Sequence, residues 1–252
     1  MGLVEANNLV IQFGGIRAVD DVSFKIEQGE IYTIIGPNGA GKTTIFNLIS
    51  RIYDPASGTI TFDGQDITEE VPHRIAQLGI ARTFQNIELF ENATVLDNLL
   101  LGCHRHCRTQ FWQEIVFLPV VRRQELEHRE KVEEVIDFLG LQHYRDQFVR
   151  SLPYGVRKVV ELARALATEP KLLMLDEPSS GLNVEETQDM AFWIRDIRQQ
   201  LGITLLMVEH DMKLVADVSD RVLALNDGRV IAEGSPSSVQ DTADVVKAYL
   251  GE

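Results

Sequence analysis

Two groups of residues in this sequence have the types and spacing to bind a chain of phosphates and cleave a phosphoanhydride. The first is Gly36-Pro37-Asn38-Gly39-Ala40-Gly41-Lys42-Thr43, in which three glycines precede a lysine and a hydroxyl. It fills every position of the pattern G-x-x-x-x-G-K-[ST], with Thr44 opening the helix-like run that follows. Glycines let the backbone curl so that successive N–H groups face phosphate oxygens, and the start of the helix adds its positive end. Lys42 would reach the β- and γ-phosphates, and the Thr43 hydroxyl would be offered to Mg²⁺.

The second group is Asp176-Glu177, which closes the apolar run Leu172–Leu175. Ligands of open α/β sheets bind at the carboxyl ends of strands, so the pair is placed for a bound nucleotide. Asp176 would hold Mg²⁺, directly or through water. Glu177 would polarise a water for attack on the γ-phosphate.

These groups need elements to hold them. Ile31–Ile35, almost wholly apolar and ending at Gly36, predicts a buried strand, and Thr44–Ile49 a helix. Leu172–Leu175 and Thr204–Val208 predict two more buried strands, with the amphipathic segment Val184–Leu201 between them. Strand, helix, strand implies a parallel sheet. Leu9–Phe13 and Val22–Glu27 are β-rich, while Thr59–Phe62 before Asp63-Gly64 and Val222–Asn226 before Asp227-Gly228 predict hairpins. From about Val95 to Ala167 the apolar residues recur at helical spacing, as at Val132, Val135, Ile136 and Leu139, which predicts a helical insert within the same folding unit. There is no internal repeat and no linker-like tract.

Composition narrows the classes. With 252 residues, 44% hydrophobic and 25% charged, the chain can bury a substantial core. No apolar run approaches the roughly 20 residues that cross a bilayer, and no leader pattern opens the chain, so a cytoplasmic location is expected. A net charge of -14 works against capture by nucleic acid or anionic lipid. Two cysteines, Cys103 and Cys107, exclude a secreted disulfide framework.

In this order and spacing, the landmarks along nearly the whole chain resemble the ATP-binding cassette family. The resemblance implies an α/β P-loop nucleoside triphosphate hydrolase core with a mostly parallel sheet, an N-terminal antiparallel β subdomain and a helical insert. The whole chain, 1–252, would then be one ATPase domain. It implies that Phe13 stacks on adenine. Gln85, in Thr83-Phe84-Gln85-Asn86, would contact Mg²⁺ and the attacking water and sense a membrane subunit. His210, in Val208-Glu209-His210-Asp211, would contact the γ-phosphate.

Two segments depart from the family pattern. Leu152-Pro153-Tyr154-Gly155-Val156 stands where L-S-G-G-Q is usual, so Pro153 lacks a hydroxyl and a backbone N–H. In the family this segment meets ATP held by the opposite subunit, and Gly155 with its neighbours Pro153 and Tyr154 would have to supply that contact. In Ser180-Gly181-Leu182-Asn183 the last residue is usually aspartate, and Asn183 keeps the hydrogen-bonding side chain without its charge.

A narrower resemblance, to ATPases of branched-chain amino acid importers and their relatives, rests on three features. These are the insert around Cys103–Arg129, the run Ala81-Arg82-Thr83-Phe84-Gln85-Asn86 and the ending Ala248-Tyr249-Leu250-Gly251-Glu252. It implies a second ATPase subunit, integral membrane permease subunits and, indirectly, a periplasmic or extracellular solute-binding protein, with this chain peripheral on the cytoplasmic face of the cell membrane. Substrates in that branch include branched-chain amino acids, urea or amides, and aromatic acids. The rival reading is a cassette ATPase that acts on a macromolecule or in cluster assembly and transports nothing. This chain lacks the second cassette, coiled coil or zinc module usual in such relatives.

Cys103-His104-Arg105-His106-Cys107 invites a metal reading. On a helix, however, the two cysteines share one face while His104 points elsewhere, and no second ligand pair lies at zinc-site spacing. Arg122–Glu134 reads as a solvated helix face.

Overall fold

A computed structural model describes residues 2–83, 87–103 and 119–250. They form two compact units, Met1–Gln85 with Lys171–Glu252, and Asn86–Pro170. Among the described residues, no helix is long and apolar enough to cross a membrane.

The first unit holds two sheets. In the four-stranded antiparallel sheet the order is β2 (Ile16–Ile26), β1 (Val4–Phe13), β4 (Ser57–Phe62), β5 (Gln65–Asp66). The six-stranded sheet runs β10 (Arg229–Gly234), β9 (Arg221–Asn226), β3 (Ile31–Ile35), β8 (Thr204–Val208), β7 (Leu172–Asp176), β6 (Ile80–Arg82). All its pairs are parallel except β9 with β10. Every residue of β3, β7 and β8 is buried, which is why these strands read as unbroken apolar runs rather than as alternation. Ile45, Phe46, Leu48 and Ile49 of the helix Lys42–Ile49 join side chains of both sheets in one core.

Both Asp-Gly hairpins form. Asp63 (φ 50°) with Gly64 (φ 78°) and Asp227 (φ 46°) with Gly228 (φ 75°) take the paired left-handed conformation of a tight hairpin turn. Strands β1 and β2 are longer than their apolar runs suggest. Polar Asn7-Asn8 and Asp20-Asp21 interrupt the alternation, and register shifts in β1 with positive φ at Asn8 and Asp21 absorb them. The Asn8 side chain donates to Asp21 across that irregularity at 2.8 Å.

The second unit contains the helices Val95–Cys103, Pro119–Phe138 and Tyr154–Leu166. A Cβ at Gly102 would lie 2.5 Å from the Arg164 carbonyl oxygen, so the absence of a side chain lets the first and last of these helices approach closely. The unit begins before Val95 because the preceding stretch pairs through its backbone. Arg150 N–H donates to Glu91 O, and Val149 N–H to Ala93 O, both at 3.1 Å. Buried Asn98 closes the turn by accepting from Phe90 N–H at 2.9 Å and donating to Phe90 O and Thr94 O.

Candidate functional site

The loop after β3 has a curl that glycine alone fits at its ends. Gly36 has φ 150° and a Cβ there would lie 2.3 Å from Leu225 O; Gly41 has φ 99° and its Cβ would meet Ala18 O at 2.4 Å. Gly41 caps the helix Lys42–Ile49 with no side-chain acceptor on the first-turn amides, which leaves the positive end of that helix facing the loop. Lys42 is buried beneath the loop, its Nζ donating to Gly36 O at 2.7 Å and Pro37 O at 3.0 Å. Burial pushes its pKa down, while the carboxylates of Glu177 and Asp176 pull it back up. Thr43 is exposed and Thr44 half-buried in the first turn. The loop has a partner that the sequence did not announce: Gly36 N–H donates to the Tyr249 hydroxyl at 2.8 Å.

Asp176 ends β7 and is buried, its Oδ2 accepting from Arg82 Nη2 at 2.9 Å. Arg82 also donates to Asn47 Oδ1 at 2.7 Å, and its guanidinium lies over the Phe46 ring, 5.4 Å from the centroid. The positive φ of Glu177, 50°, turns the chain out of the sheet, and its N–H donates to Val208 O at 2.9 Å. The half-buried Glu177 carboxylate lies 3.9 Å from Nδ1 of His210, whose ring is exposed. Strand β8 lies between β3 and β7, so the phosphate loop, the acidic pair and His210 all emerge from neighbouring strand ends of one sheet. The structure therefore brings together Lys42, Asp176, Glu177 and His210.

Thr43 and Asp176 supply hard oxygen donors of the kind Mg²⁺ takes. Among the described residues there is no group of three or more His, Cys, Asp or Glu able to hold a metal alone, so a cation here would take its remaining ligands from phosphate and water.

Phe13, at the end of β1, is exposed and meets Tyr53 edge to face at 5.1 Å between ring centroids. Tyr53 follows the helix Lys42–Ile49 and carries no motif; an aromatic placed just past that helix was the only sign of it. Gln85 lies outside the described residues, as do His104, Arg105, His106, Cys107, Gly251 and Glu252. Cys103 is a buried thiol.

The altered signature segment begins a helix as expected. Pro153 is the N-cap of Tyr154–Leu166, a position whose N–H makes no intrahelical bond, so the ring costs the helix nothing. Its carbonyl accepts from Arg157 N–H at 3.1 Å, and the Arg157 side chain donates to Leu152 O at 2.9 Å and Arg150 O at 2.8 Å. Tyr154 is exposed at the helix start and Gly155 is buried. Asn183 proves to be the N-cap of Val184–Leu201. It accepts from Glu186 N–H at 3.0 Å while Glu186 Oε2 accepts from Asn183 N–H at 2.9 Å. That reciprocal pair was legible in Asn183-Val184-Glu185-Glu186, a cap residue followed at the third position by glutamate.

Comparison with known proteins agrees with this geometry. The profile of the ABC transporter family matches residues 19–180. The chain is 41% identical over 250 residues to the high-affinity branched-chain amino acid transport ATP-binding protein BraF of Pseudomonas aeruginosa, covering 99% of this chain and 98% of that protein. It is 38% identical to the corresponding ATP-binding protein LivG of Escherichia coli over the same shares. Among solved structures, the ADP conformation of an ATP-binding cassette of an ABC transporter superposes with a TM-score of 0.87 at 33% identity, covering 100% of both chains.

Proposed function

The chain belongs to the ABC transporter family, and from that premise we propose that it is the ATP-hydrolysing subunit of an importer for branched-chain amino acids or a related small polar or aromatic acid. The observation that carries the reading is the convergence of Lys42, Asp176, Glu177 and His210 on one edge of the six-stranded sheet. The full-length likeness to amino acid transport ATP-binding proteins favours transport over the macromolecular or cluster-assembly alternative.

In this reading the adenine lies against Phe13. The loop Gly36–Thr44, through the N–H groups that follow Pro37, and the Lys42 ammonium hold the phosphates, so charge developing on the γ-phosphoryl group meets preorganised donors. Thr43 and Asp176, with Gln85, would hold Mg²⁺, which when bound offsets charge on the β- and γ-oxygens. Glu177 orients a water and takes its proton as the water oxygen bonds to the γ-phosphorus. The bond from that phosphorus to the β,γ-bridging oxygen breaks, releasing ADP and phosphate. His210, beside Glu177, donates toward the γ-phosphate oxygens.

The whole chain, 1–252, works as one cassette. Pro153, Tyr154 and Gly155 face ATP held by a second ATPase subunit, with the first-turn amides of Tyr154–Leu166 as donors. Closure of two such subunits drives permease subunits at the cytoplasmic face of the membrane, to which a solute-binding protein delivers substrate from outside.

Glu177→Gln tests the reading, because it keeps the side chain's shape and removes its basicity. Size-exclusion chromatography with MgATP should show an ATP-dependent dimer in the variant, together with loss of phosphate release. A variant that hydrolyses ATP at the wild-type rate would overturn the assignment of Glu177.

A further inference from the structure

Glu209, at this sheet edge, is a carboxylate that the hydrolytic scheme leaves without a task, and it is fully buried. Its Oε1 accepts from Ser179 N–H at 2.8 Å. Its Oε2 accepts from His210 N–H at 2.9 Å and from Asp211 N–H at 3.2 Å. Ser179 lies two residues past Glu177, in the turn that leaves β7, whereas His210 and Asp211 open the loop that leaves β8. One carboxylate therefore fastens both loops that carry reacting side chains. The backbone around it is tied on either side as well: Glu209 N–H donates to Ile34 O at 3.3 Å in the strand that ends at the phosphate loop, and Glu177 N–H donates to Val208 O.

From this geometry, and resting on the ATPase reading above, we propose that Glu209 is a positioning residue that sets the Glu177 carboxylate and the His210 ring in register with each other. Burying a carboxylate is costly, and three N–H donors compensate that cost only while both loops keep their places. The arrangement is thus self-checking: a shift of either loop leaves a buried anion short of a donor. Glu177 needs such support, because its left-handed φ is unusual for a residue with a side chain and does not hold itself. Strand β8, inserted between the strands that carry Lys42 and Glu177, is the place from which one side chain reaches both loops.

The test is Glu209→Gln in the full chain. An amide can accept with its oxygen but presents N–H groups where the carboxylate accepted, so it must abandon either Ser179 or the His210 pair. Misplacing a catalytic group by about 1 Å can cost about a hundredfold, so kcat should fall about ten- to a hundredfold. The dissociation constant for ATP, read by equilibrium binding, should change far less than kcat, because the loop amides and Lys42 that hold most of the phosphate keep their places and only the His210 contact is disturbed. Against the residual slow hydrolysis of Glu177→Gln, followed over a single long turnover, the same substitution should cost much less, since residues that act as a unit are not additive.

An unchanged kcat in the folded variant overturns the proposal, as does an equal fold loss in both backgrounds or a parallel loss of ATP binding. Should Glu209→Gln fail to fold, Glu209→Asp carries the same comparison with the charge kept and the reach shortened by one methylene. Wild-type protein that binds ATP without hydrolysing it would overturn the ATPase reading and this proposal together. Wild-type turnover with an indifferent Glu209→Gln overturns only this one.

Discussion

Arg82 and Asp176 form a buried ion pair with 2.9 Å between Nη2 and Oδ2, both side chains a tenth exposed or less. Breaking such a pair from one side leaves an uncompensated charge and costs about 3–5 kcal/mol, whereas removing both charges costs far less. Arg82→Met should therefore lower stability to urea by about 3 kcal/mol. The double variant with Asp176→Asn should recover a large part of that loss, even though Asp176→Asn alone should abolish hydrolysis. Urea midpoints for the four proteins decide it, and additive losses would mean that the pair is not coupled.

Asn183 offers a prediction about its departure from the family pattern. Asparagine and aspartate are about equally good N-caps, so Asn183→Asp should leave the melting temperature nearly unchanged. Asn183→Ala should cost about 1 kcal/mol by removing the acceptor for Glu186 N–H. A large shift on Asn183→Asp would show that the missing charge matters to the fold.

The edge-to-face contact of Phe13 with Tyr53 predicts a graded effect on nucleotide binding. Base stacking on an aromatic side chain is worth about 1–3 kcal/mol, so Phe13→Ala should weaken ATP binding by about five- to 150-fold. Tyr53→Ala removes the ring that holds Phe13 and should cost about 0.5–1.5 kcal/mol, while Tyr53→Phe keeps the contact and should bind as wild type. Titration of a fluorescent ATP analogue would measure all three. Equal losses for both tyrosine variants would implicate the hydroxyl instead of the ring.

Local chemistry made much of the fold legible. Strands β3, β7 and β8 are buried on both faces and so appear as plain apolar runs, and the two Asp-Gly turns require left-handed backbone that those residues accept. The phosphate loop and acidic pair were legible because their residues are contiguous. Arg82, Tyr53, Glu209 and Tyr249 were not, because each acts on a residue brought to it by the sheet order. Arg82 and Asp176 are 94 positions apart, and Tyr249 is 213 from Gly36. A side chain's partner across a crossover leaves no period or motif in the chain.

Lys42 links nucleotide affinity to pH with a defined sign. Burial lowers its pKa below the ordinary 10.5, against the upward pull of Glu177 and Asp176. Phosphate oxygens beside the ammonium favour its charged form, so the pKa is higher in the complex than in the nucleotide-free protein. Between those two values the complex holds more protons than its separated components, and binding takes up a proton. By linkage the affinity for ATP must then fall as pH rises through that window, which opens below 10.5. Glu177→Gln removes the largest of the upward pulls, so the fall should begin at lower pH in that variant than in the wild type. Equilibrium dissociation constants measured from about pH 7 to about pH 10 would show the slope, which should be absent in Lys42→Met across the same range. A flat profile in the wild type would mean that the Lys42 ammonium does not meet the phosphates.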